Sequence, residues 1–220
     1  MKLDMHIHTL HSPKCGWMRP EHLIERAIEK GLDGLAVTDH NTIDGAREVF
    51  DIVNDEQMKL SVIIGEEIST DRGEVLAYFI NREIEPGPFA EVLNEIKRAG
   101  GISAIPHPFD KLRHHAVRLT RDDVGLFDCI EGFNARCFSK VYNDLAYNFG
   151  KEYDLAITAG SDAHFLNEVG NGGIIIGREN IREAITKNDM TIYGHRSMVI
   201  NHAGTKILKF RRSIRSYLDE

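Results

Sequence analysis

Short apolar runs alternate with helix-like patterns along most of the chain. The run "LDMHIH" (3–8) predicts a strand. The following "RPEHLIERAIEKG" (19–31) predicts a helix, because its apolar residues recur every three or four positions. Pro20 suits the first turn of this helix and Gly31 suits its end. The repeated order of strand and helix is typical of an α/β fold with a mainly parallel sheet.

The remaining predicted elements follow the same order. Strands are predicted at residues 32–41, 60–69, 73–81, 102–108, 127–134 and 155–164. Helices are predicted at residues 43–55, 89–101 and 140–154, with a C-terminal helix at about 204–218. The pattern over residues 171–203 favours no particular element. Because no linker composition separates these elements, we predict a single barrel domain over residues 1–220.

Charged and imidazole side chains gather where the predicted strands end. The apolar runs finish in "HIH", "TDH", "GEE", "PHP", "FNAR" and "GSDAH". In α/β barrels the active site lies at the C-terminal ends of the strands, so we expect these side chains to meet. The first strand has the required register, because Asp4, His6 and His8 share one face and the apolar residues between them share the other.

Composition narrows the class of protein. The 220 residues are 42% hydrophobic, which is enough for a sizeable core. A net charge of −7 argues against stable binding to nucleic acid or to an anionic membrane. No apolar run reaches the roughly 18–20 residues of a membrane span, and the N-terminus lacks the apolar segment of a signal peptide. The three cysteines, Cys15, Cys129 and Cys137, suit a reducing compartment, so we predict a cytoplasmic protein.

Five motifs in order carry a resemblance to a known family. "DMHIHT", "VTDHNT", "GEEIST", "IPHP" and "GSDAH" resemble the motifs of the PHP (polymerase and histidinol phosphatase) domain family, from residue 3 to about residue 178. The resemblance implies a distorted (β/α)7 TIM-like barrel with a metal site at the C-terminal ends of its strands. It also implies two or three divalent metal ions and hydrolysis of phosphoesters by a metal-bound hydroxide.

The resemblance assigns metal-binding roles to individual residues. His6, His8 and Asp162 would bind the first ion. Together with Glu67, these three residues would be catalytic through the hydroxide that the ions hold. Imidazole and carboxylate ligands suit zinc, iron and manganese, so the identity of the metal stays open.

The other motif residues would complete the cluster. Glu67 would bridge two ions, because a carboxylate has two oxygens. His107 would bind the second ion, and His40 and His164 would bind the third. Asp39, beside His40, is expected to orient an imidazole and not to bind metal itself.

Two positions depart from the family pattern. Relatives often carry aspartate in "S-D-G-x-x-x-P", where this chain has "C-G-W-M-R-P" ending at Pro20, so Cys15 would replace a carboxylate ligand. A thiolate is a good ligand for zinc or iron. Related sequences also often carry histidine where Glu74 stands, and a glutamate can bind metal as well. The alternatives are a loop thiol for Cys15 and a solvated carboxylate for Glu74.

Three residues are predicted to contact the substrate. Asn134 and Arg136 end a predicted strand in "FNAR" and should face the site. An arginine can bind a phosphate through two nitrogens, although Arg136 could instead pair with site carboxylates. Lys14 is a similar candidate in the first loop. His114 and His115 lie on a loop after the "PHP" motif that either borders the substrate or is simply solvated.

These observations predict a metal-dependent phosphoesterase that acts on phosphomonoesters, including nucleotides or short oligonucleotide ends. A metal-dependent amidohydrolase is an alternative, because its barrel also opens with H-x-H. A second alternative is a metal-binding PHP scaffold without activity, as in some domains fused to polymerases. The sequence leaves the physiological substrate and the oligomeric state open.

Overall fold

The computed structural model describes residues 1–13, 15–113, 115–177, 180–198, 200–201 and 203–206. Within this part of the chain, nine strands form one curved sheet. The strands are β1 (Lys2–Ile7), β2 (Gly34–Val37), β3 (Ser61–Thr70), β4 (Gly73–Tyr78), β5 (Ile102–Ile105), β6 (Cys129–Asn134), β7 (Ala156–Gly160), β8 (Gly172–Ile175) and β9 (Thr191–Gly194).

The sheet order is β7-β6-β5-β4-β3-β2-β1-β8-β9. β1, β2 and β3 are parallel, and so are β5, β6 and β7. The two ends of this series meet, because the Asp162 amide donates to the His6 carbonyl at 2.7 Å and the His8 amide donates to the Ala163 carbonyl at 2.9 Å. These bonds bring the segment after β7 against β1 and nearly close a barrel.

The predicted α/β barrel is confirmed, and the described sheet has two strands more than the seven expected. β3 and β4 form a hairpin whose pairing ends at Thr70 and Gly73. So short a turn cannot hold a crossover helix, so β4 runs antiparallel to β3. It is antiparallel to β5 as well. The ambiguous segment after residue 171 supplies β8 and β9, which form a second antiparallel extension beside β1.

The helices are α1 (Pro20–Glu29), α2 (Asp44–Asp55), α3 (Phe89–Arg98), α4 (Lys140–Glu152) and α5 (Ile181–Thr186). The four longer helices lie where the apolar spacing predicts them. Residues 203–206 are helical, whereas the remainder of the C-terminal helix predicted at about 204–218 falls outside the described residues. None of the described helices combines the length and apolarity needed to cross a membrane.

The barrel separates an apolar outer face from a polar interior. On β1, Ile7 packs in one cluster with Leu23 of α1 and Val37 of β2. His6 and His8, on the opposite face, are fully buried as well. Burial of imidazoles requires polar partners, and these are supplied by the carboxylates that line the same end of the barrel.

Candidate metal centre

Four side chains from β1, β3 and the end of β7 direct donor atoms at a common point. The Nε2 atoms of His6 and His8 are 3.1 Å apart. Glu67 Oε2 lies 3.5 Å and 3.3 Å from them, and Asp162 Oδ1 lies 3.9 Å and 3.4 Å from them. An ion with ligands at about 2.0–2.1 Å in tetrahedral geometry spaces them about 3.3 Å apart. The donor atoms of His6, His8 and Glu67 could therefore hold one divalent ion, with Asp162 Oδ1 beside them.

Both carboxylate oxygens of Glu67 face histidines, and Oε2 also faces His6 and His8 of the first group. Its Oε2 lies 3.1 Å from His40 Nδ1, and its Oε1 lies 3.1 Å from His107 Nε2. Glu74 lies beside both histidines, at 3.5 Å from His40 Nδ1 and 3.6 Å from His107 Nε2. His40, Glu67 and Glu74 therefore form a second group that could hold an ion and share Glu67 with the first.

The direction of β4 explains why Glu74 reaches the site. Glu74 opposes Ser69 near the start of β4. Because β4 is antiparallel, its start lies at the same end of the barrel as the C-terminal ends of the parallel strands. The structure thus places Glu74 among the predicted ligands.

His164 extends the cluster on the other side. Its ring lies 4.4 Å from that of His8 between centroids, and His8 stacks on His40 at 4.6 Å. Donor atoms of the three histidines lie within 4.8 Å of one another. This third group is compatible with a further ion.

The chemistry of the donor set fits divalent metal. Burial raises the pKa of Glu74 well above its usual range, and the negative charge of Glu67 raises it further. His107 Nδ1 is buried and has no hydrogen-bond partner among the described residues. Two neighbouring buried carboxylates carry an electrostatic cost that a cation would offset.

Glu131 orients two of the candidate ligands, and sequence reasoning missed it. Its Oε1 lies 3.0 Å from His6 Nδ1, and its Oε2 accepts the His107 amide at 2.7 Å. Because Glu131 holds Nδ1 of His6, the Nε2 atom of the same ring is directed at Glu67. The available signal was an acidic residue inside the buried strand "CIEGFN".

The protonation of His6 reflects these neighbours. Burial lowers the pKa of His6, but the carboxylates of Glu131, Glu67 and Asp162 outweigh burial and raise the pKa well above its usual value. A metal ion at His6 would therefore compete with a proton.

Asp39 reaches the imidazoles indirectly. Its Oδ1 accepts hydrogen bonds from the Thr9 amide at 2.6 Å and from Ser12 Oγ at 2.7 Å. Ser12 Oγ in turn lies 3.2 Å from His8 Nδ1. This chain of contacts supports the orienting role expected of Asp39, with Ser12 as the intermediary.

Cys15 stands apart from the described ligand groups. Cys15 is buried, and the three groups of described residues with donor atoms within 4.8 Å do not include it. Its role as a ligand stays a prediction. Lys14 and His114 lie outside the described residues, whereas His115 lines the cavity above the site.

The two candidates from "FNAR" make different contacts. Asn134 Nδ2 donates to Asp162 Oδ2 at 3.2 Å, so it contacts a predicted ligand. Arg136 is buried and donates to Glu168 Oε2 at 3.0 Å and to Thr205 Oγ1 at 2.9 Å. This geometry favours pairing with a carboxylate, which is the alternative role, although Arg136 also lines the cavity.

An open cavity of about 320 Å³ lies over the donor groups. Its lining combines His40, Glu67, Glu74, Asp162 and His164 with the more basic Arg113, His115, Arg136 and Lys206. The acidic and imidazole groups could bind metal, and the cationic groups beside them could bind the phosphate of a substrate. Sequence reasoning missed Arg113, because nothing in "DKLRHHAVRL" distinguishes it from the other basic residues of that loop.

The backbone is strained at two candidate ligands. Asp162 has φ 54° and His107 has φ 33°, both in the left-handed region that non-glycine residues avoid. Such strain costs about 1–3 kcal/mol for each residue and concentrates at functional sites. Hydrogen bonds hold both residues in this conformation. The Asp162 amide donates to the His6 carbonyl on β1, and the His107 amide donates to the Glu131 carboxylate.

Comparison with known proteins places the chain in a family. The PHP domain family model matches residues 4–213. An uncharacterized protein of Methanocaldococcus jannaschii is 34% identical over 190 residues, which are 83% of this chain and 73% of that protein. The 5'-3' exoribonuclease Rnm of Escherichia coli is 37% identical over 67 residues, which are 30% of this chain and 22% of that enzyme.

A solved structure gives the same fold. The two-domain protein from Bacteroides vulgatus that contains a predicted PHP-like metal-dependent phosphoesterase superposes with a TM-score of 0.70 at 18% identity. The match covers 89% of this chain and 65% of that protein, so the chain spans just under two thirds of its length. At this identity the likeness concerns the fold alone.

Proposed function

Since this chain belongs to the PHP domain family, we propose that it is a metal-dependent phosphoesterase that hydrolyses phosphomonoesters, including those of nucleotides or short oligonucleotide ends. The observation that carries the proposal is that donor atoms of His6, His8 and Glu67 lie within 4.8 Å of one another. Asp162 lies beside them, and both Glu67 and Asp162 line the cavity. Zinc, manganese or iron would suit these ligands.

The protein's own residues bind and orient the participants. Divalent ions, when bound, supply Lewis acidity toward phosphoryl oxygens and lower the pKa of water. Glu131 and Asp39 fix the histidine rings through hydrogen bonds. Lys206, an exposed cation at the cavity, attracts the phosphate dianion.

The cavity and one relative support a small phosphorylated substrate. A volume of about 320 Å³ lies at the lower end of the range for small-molecule sites. The similarity to the Escherichia coli exoribonuclease supports a nucleotide or a short oligonucleotide end, although it covers only 30% of this chain.

Phosphate release tests the proposal directly. The purified protein with Mn²⁺ or Zn²⁺ should hydrolyse p-nitrophenyl phosphate and nucleoside monophosphates. Asp162→Ala and His8→Ala should each reduce kcat/KM by at least about 100-fold, because each removes a ligand. Arg118→Met, an exposed change outside the cavity, should leave the rate unchanged.

Two outcomes would contradict this function. Hydrolysis of amides or lactones without phosphate release would identify an amidohydrolase. Metal binding without hydrolysis of any phosphoester would indicate a scaffold. Elemental analysis of the wild type and Cys15→Ser would also show whether Cys15 holds an ion, because loss of a ligand should lower the metal content.

A further inference from the structure

Asp162 uses its two carboxylate oxygens for different contacts. Its Oδ1 faces the histidines, at 3.4 Å from His8 Nε2 and 3.5 Å from His164 Nδ1. Its Oδ2 points the other way, pairs with Arg113 Nη2 at 2.6 Å and accepts a hydrogen bond from Asn134 Nδ2 at 3.2 Å. The carboxylate therefore offers one oxygen to the candidate metal centre, while protein donors occupy the other.

Arg113 is held in place by a short turn. The Arg113 amide donates to the Asp110 carbonyl at 3.0 Å, and Arg113 Nε lies 3.5 Å from Asp110 Oδ2. Asp110 is 2% exposed, and its Oδ1 accepts the Leu112 amide at 3.0 Å. The Asp110 amide bonds back to the His107 carbonyl at 3.4 Å. The same loop thus carries the candidate ligand His107 and directs Arg113 at Asp162.

The contacts of Arg113 require a planar fork of donors. Its guanidinium lies between Asp110 and Asp162, and Nη2 also reaches Asn134 Oδ1 at 3.4 Å. A lysine ammonium is a point charge that cannot make these divergent contacts in one plane. Arg136, the arginine that the sequence favoured, is instead paired with Glu168.

We propose that Arg113 is a positioning residue that holds Asp162 as a one-oxygen metal ligand. A carboxylate that bound through both oxygens would occupy a second coordination position, whereas catalytic sites keep a position open for water or substrate. Because Arg113 occupies Oδ2, only Oδ1 is available to a metal, and the second coordination position stays open to water or substrate. The same contact links the loop of His107 to the end of β7. This inference rests on the proposed metal-dependent function.

Calorimetric titration with Mn²⁺ alone tests the proposal. The proteins are the wild type, Arg113→Met, Arg113→Lys and, as a matched control on the same loop, the exposed Arg118→Met. Arg113→Met should weaken the binding of one ion by about 10–100-fold, as expected for loss of a group that orients a ligand. Arg113→Lys should recover only part of the affinity, and Arg118→Met should bind like the wild type.

Two further measurements separate positioning from a general structural role. Urea unfolding in the presence of a chelator should show lower stability for Arg113→Met, because loss of the guanidinium leaves Asp110 and Asp162 buried without their cation. Arg113→Lys keeps the positive charge and should lie closer to the wild type, so a loss of Mn²⁺ affinity in this stable variant reports positioning. Arg118→Met should match the wild type. With saturating Mn²⁺, Arg113→Met should lower kcat for p-nitrophenyl phosphate more than it changes KM. If Arg113→Met does not fold, Arg113→Lys decides the question, since an affinity within twofold of the wild type would overturn the proposal.

The outcomes also distinguish this inference from the proposed function. Wild-type Mn²⁺ affinity in Arg113→Met would overturn the positioning role, while a metal-dependent phosphatase activity of the wild type would leave the function standing. A wild-type protein that binds no Mn²⁺ and releases no phosphate would overturn both.

Discussion

His6 shows how one side chain joins the protein to the candidate metal. Its Nδ1 is bonded to Glu131, and its Nε2 faces His8 and Glu67 at distances that suit shared coordination. A hydrogen-bonded carboxylate fixes the tautomer and makes the imidazole a stronger ligand. Glu131 therefore contributes to the site without facing the shared coordination point.

Glu131→Gln should weaken metal binding by about 10–100-fold. The amide can accept a hydrogen bond through one oxygen only, so it cannot serve both His6 Nδ1 and the His107 amide as the carboxylate does. Competition with a fluorescent chelator measures the affinity. Glu91→Gln, an exposed change on α3, is the control, and equal affinities for the two variants would contradict the role of Glu131.

At the scale of elements, the start of α2 lies unusually close to the loop that follows β1. A Cβ atom on Gly45 would overlap Asp39 Oδ2 and Thr9 Oγ1. Thr9 and Asp39 are hydrogen-bonded to each other. A series of hydrogen-bond contacts runs on from Asp39 through Ser12 to His8. The absence of a side chain at Gly45 thus lets α2 approach the hydrogen bonds behind the site.

Gly45→Ala should lower the free energy of unfolding by about 1–3 kcal/mol, because the added methyl group has no space. Gly87→Ala is a matched control, since a Cβ atom there would meet nothing within 4 Å. Urea unfolding compares the two variants. A similar stability for both would show that α2 can shift without cost.

A second element contact should make stability depend on pH. Arg72 follows β3 and donates through Nη1 and Nη2 to the two carboxylate oxygens of Asp123, at 2.7 Å and 3.0 Å. The hydrogen bonds from Arg72 lower the pKa of Asp123. A carboxyl group with a lowered folded-state pKa stabilises the fold above its unfolded-state pKa of about 3.9. That contribution is lost as the pH falls through the folded-state pKa.

Asp123→Asn should therefore be less stable than the wild type by about 1–2 kcal/mol at pH 7. The difference should shrink as the pH falls below about 4, because the wild-type carboxyl group then takes up a proton. Urea unfolding at pH 7 and at successively lower pH values provides the comparison. A difference that stayed constant with pH would rule out the ion pair as its cause.

At the scale of the whole molecule, the candidate site depends on closure of the barrel. Its residues extend from His6 to His164 in the chain, and they meet because the segment after β7 bonds back to β1. An unfolded chain holds these donors far apart. A bound ion would therefore stabilise the native state relative to the unfolded state.

Chelation should lower the thermal stability of the metal-loaded protein. An ion present at about 100 times its Kd contributes about 2.7 kcal/mol. For a chain of this length, that free energy corresponds to a Tm difference of about 5–10 °C. Thermal unfolding with EDTA and then with excess Mn²⁺ measures the shift. Asp162→Ala should show a smaller shift, and an unchanged Tm in the wild type would contradict a folding-linked metal site.

The local pattern of the sequence was sufficient to predict many of the strands and helices and the family. The alternation on β1 and the apolar spacing of α1 were readable because strand and helix periods are properties of neighbouring residues. The ordered motifs at the strand ends led to the family, which the match over residues 4–213 confirms. The strands β8 and β9 were not found this way, because glycine occupies part of each, in "GGII" and "TIYG", and weakens the strand pattern.

The pairing of charges was decided by the tertiary structure. Arg113 and Arg136 have the same chemistry and both line the cavity, yet one bonds to Asp162 and the other to Glu168. In the sequence, Glu131 is one residue of a predicted buried strand, and only the closed barrel shows that its carboxylate lies beside His6. Sequence determines which faces are apolar and which strand ends carry donors. Barrel closure determines which distant donors meet, because those contacts join residues whose separation along the chain has no local period.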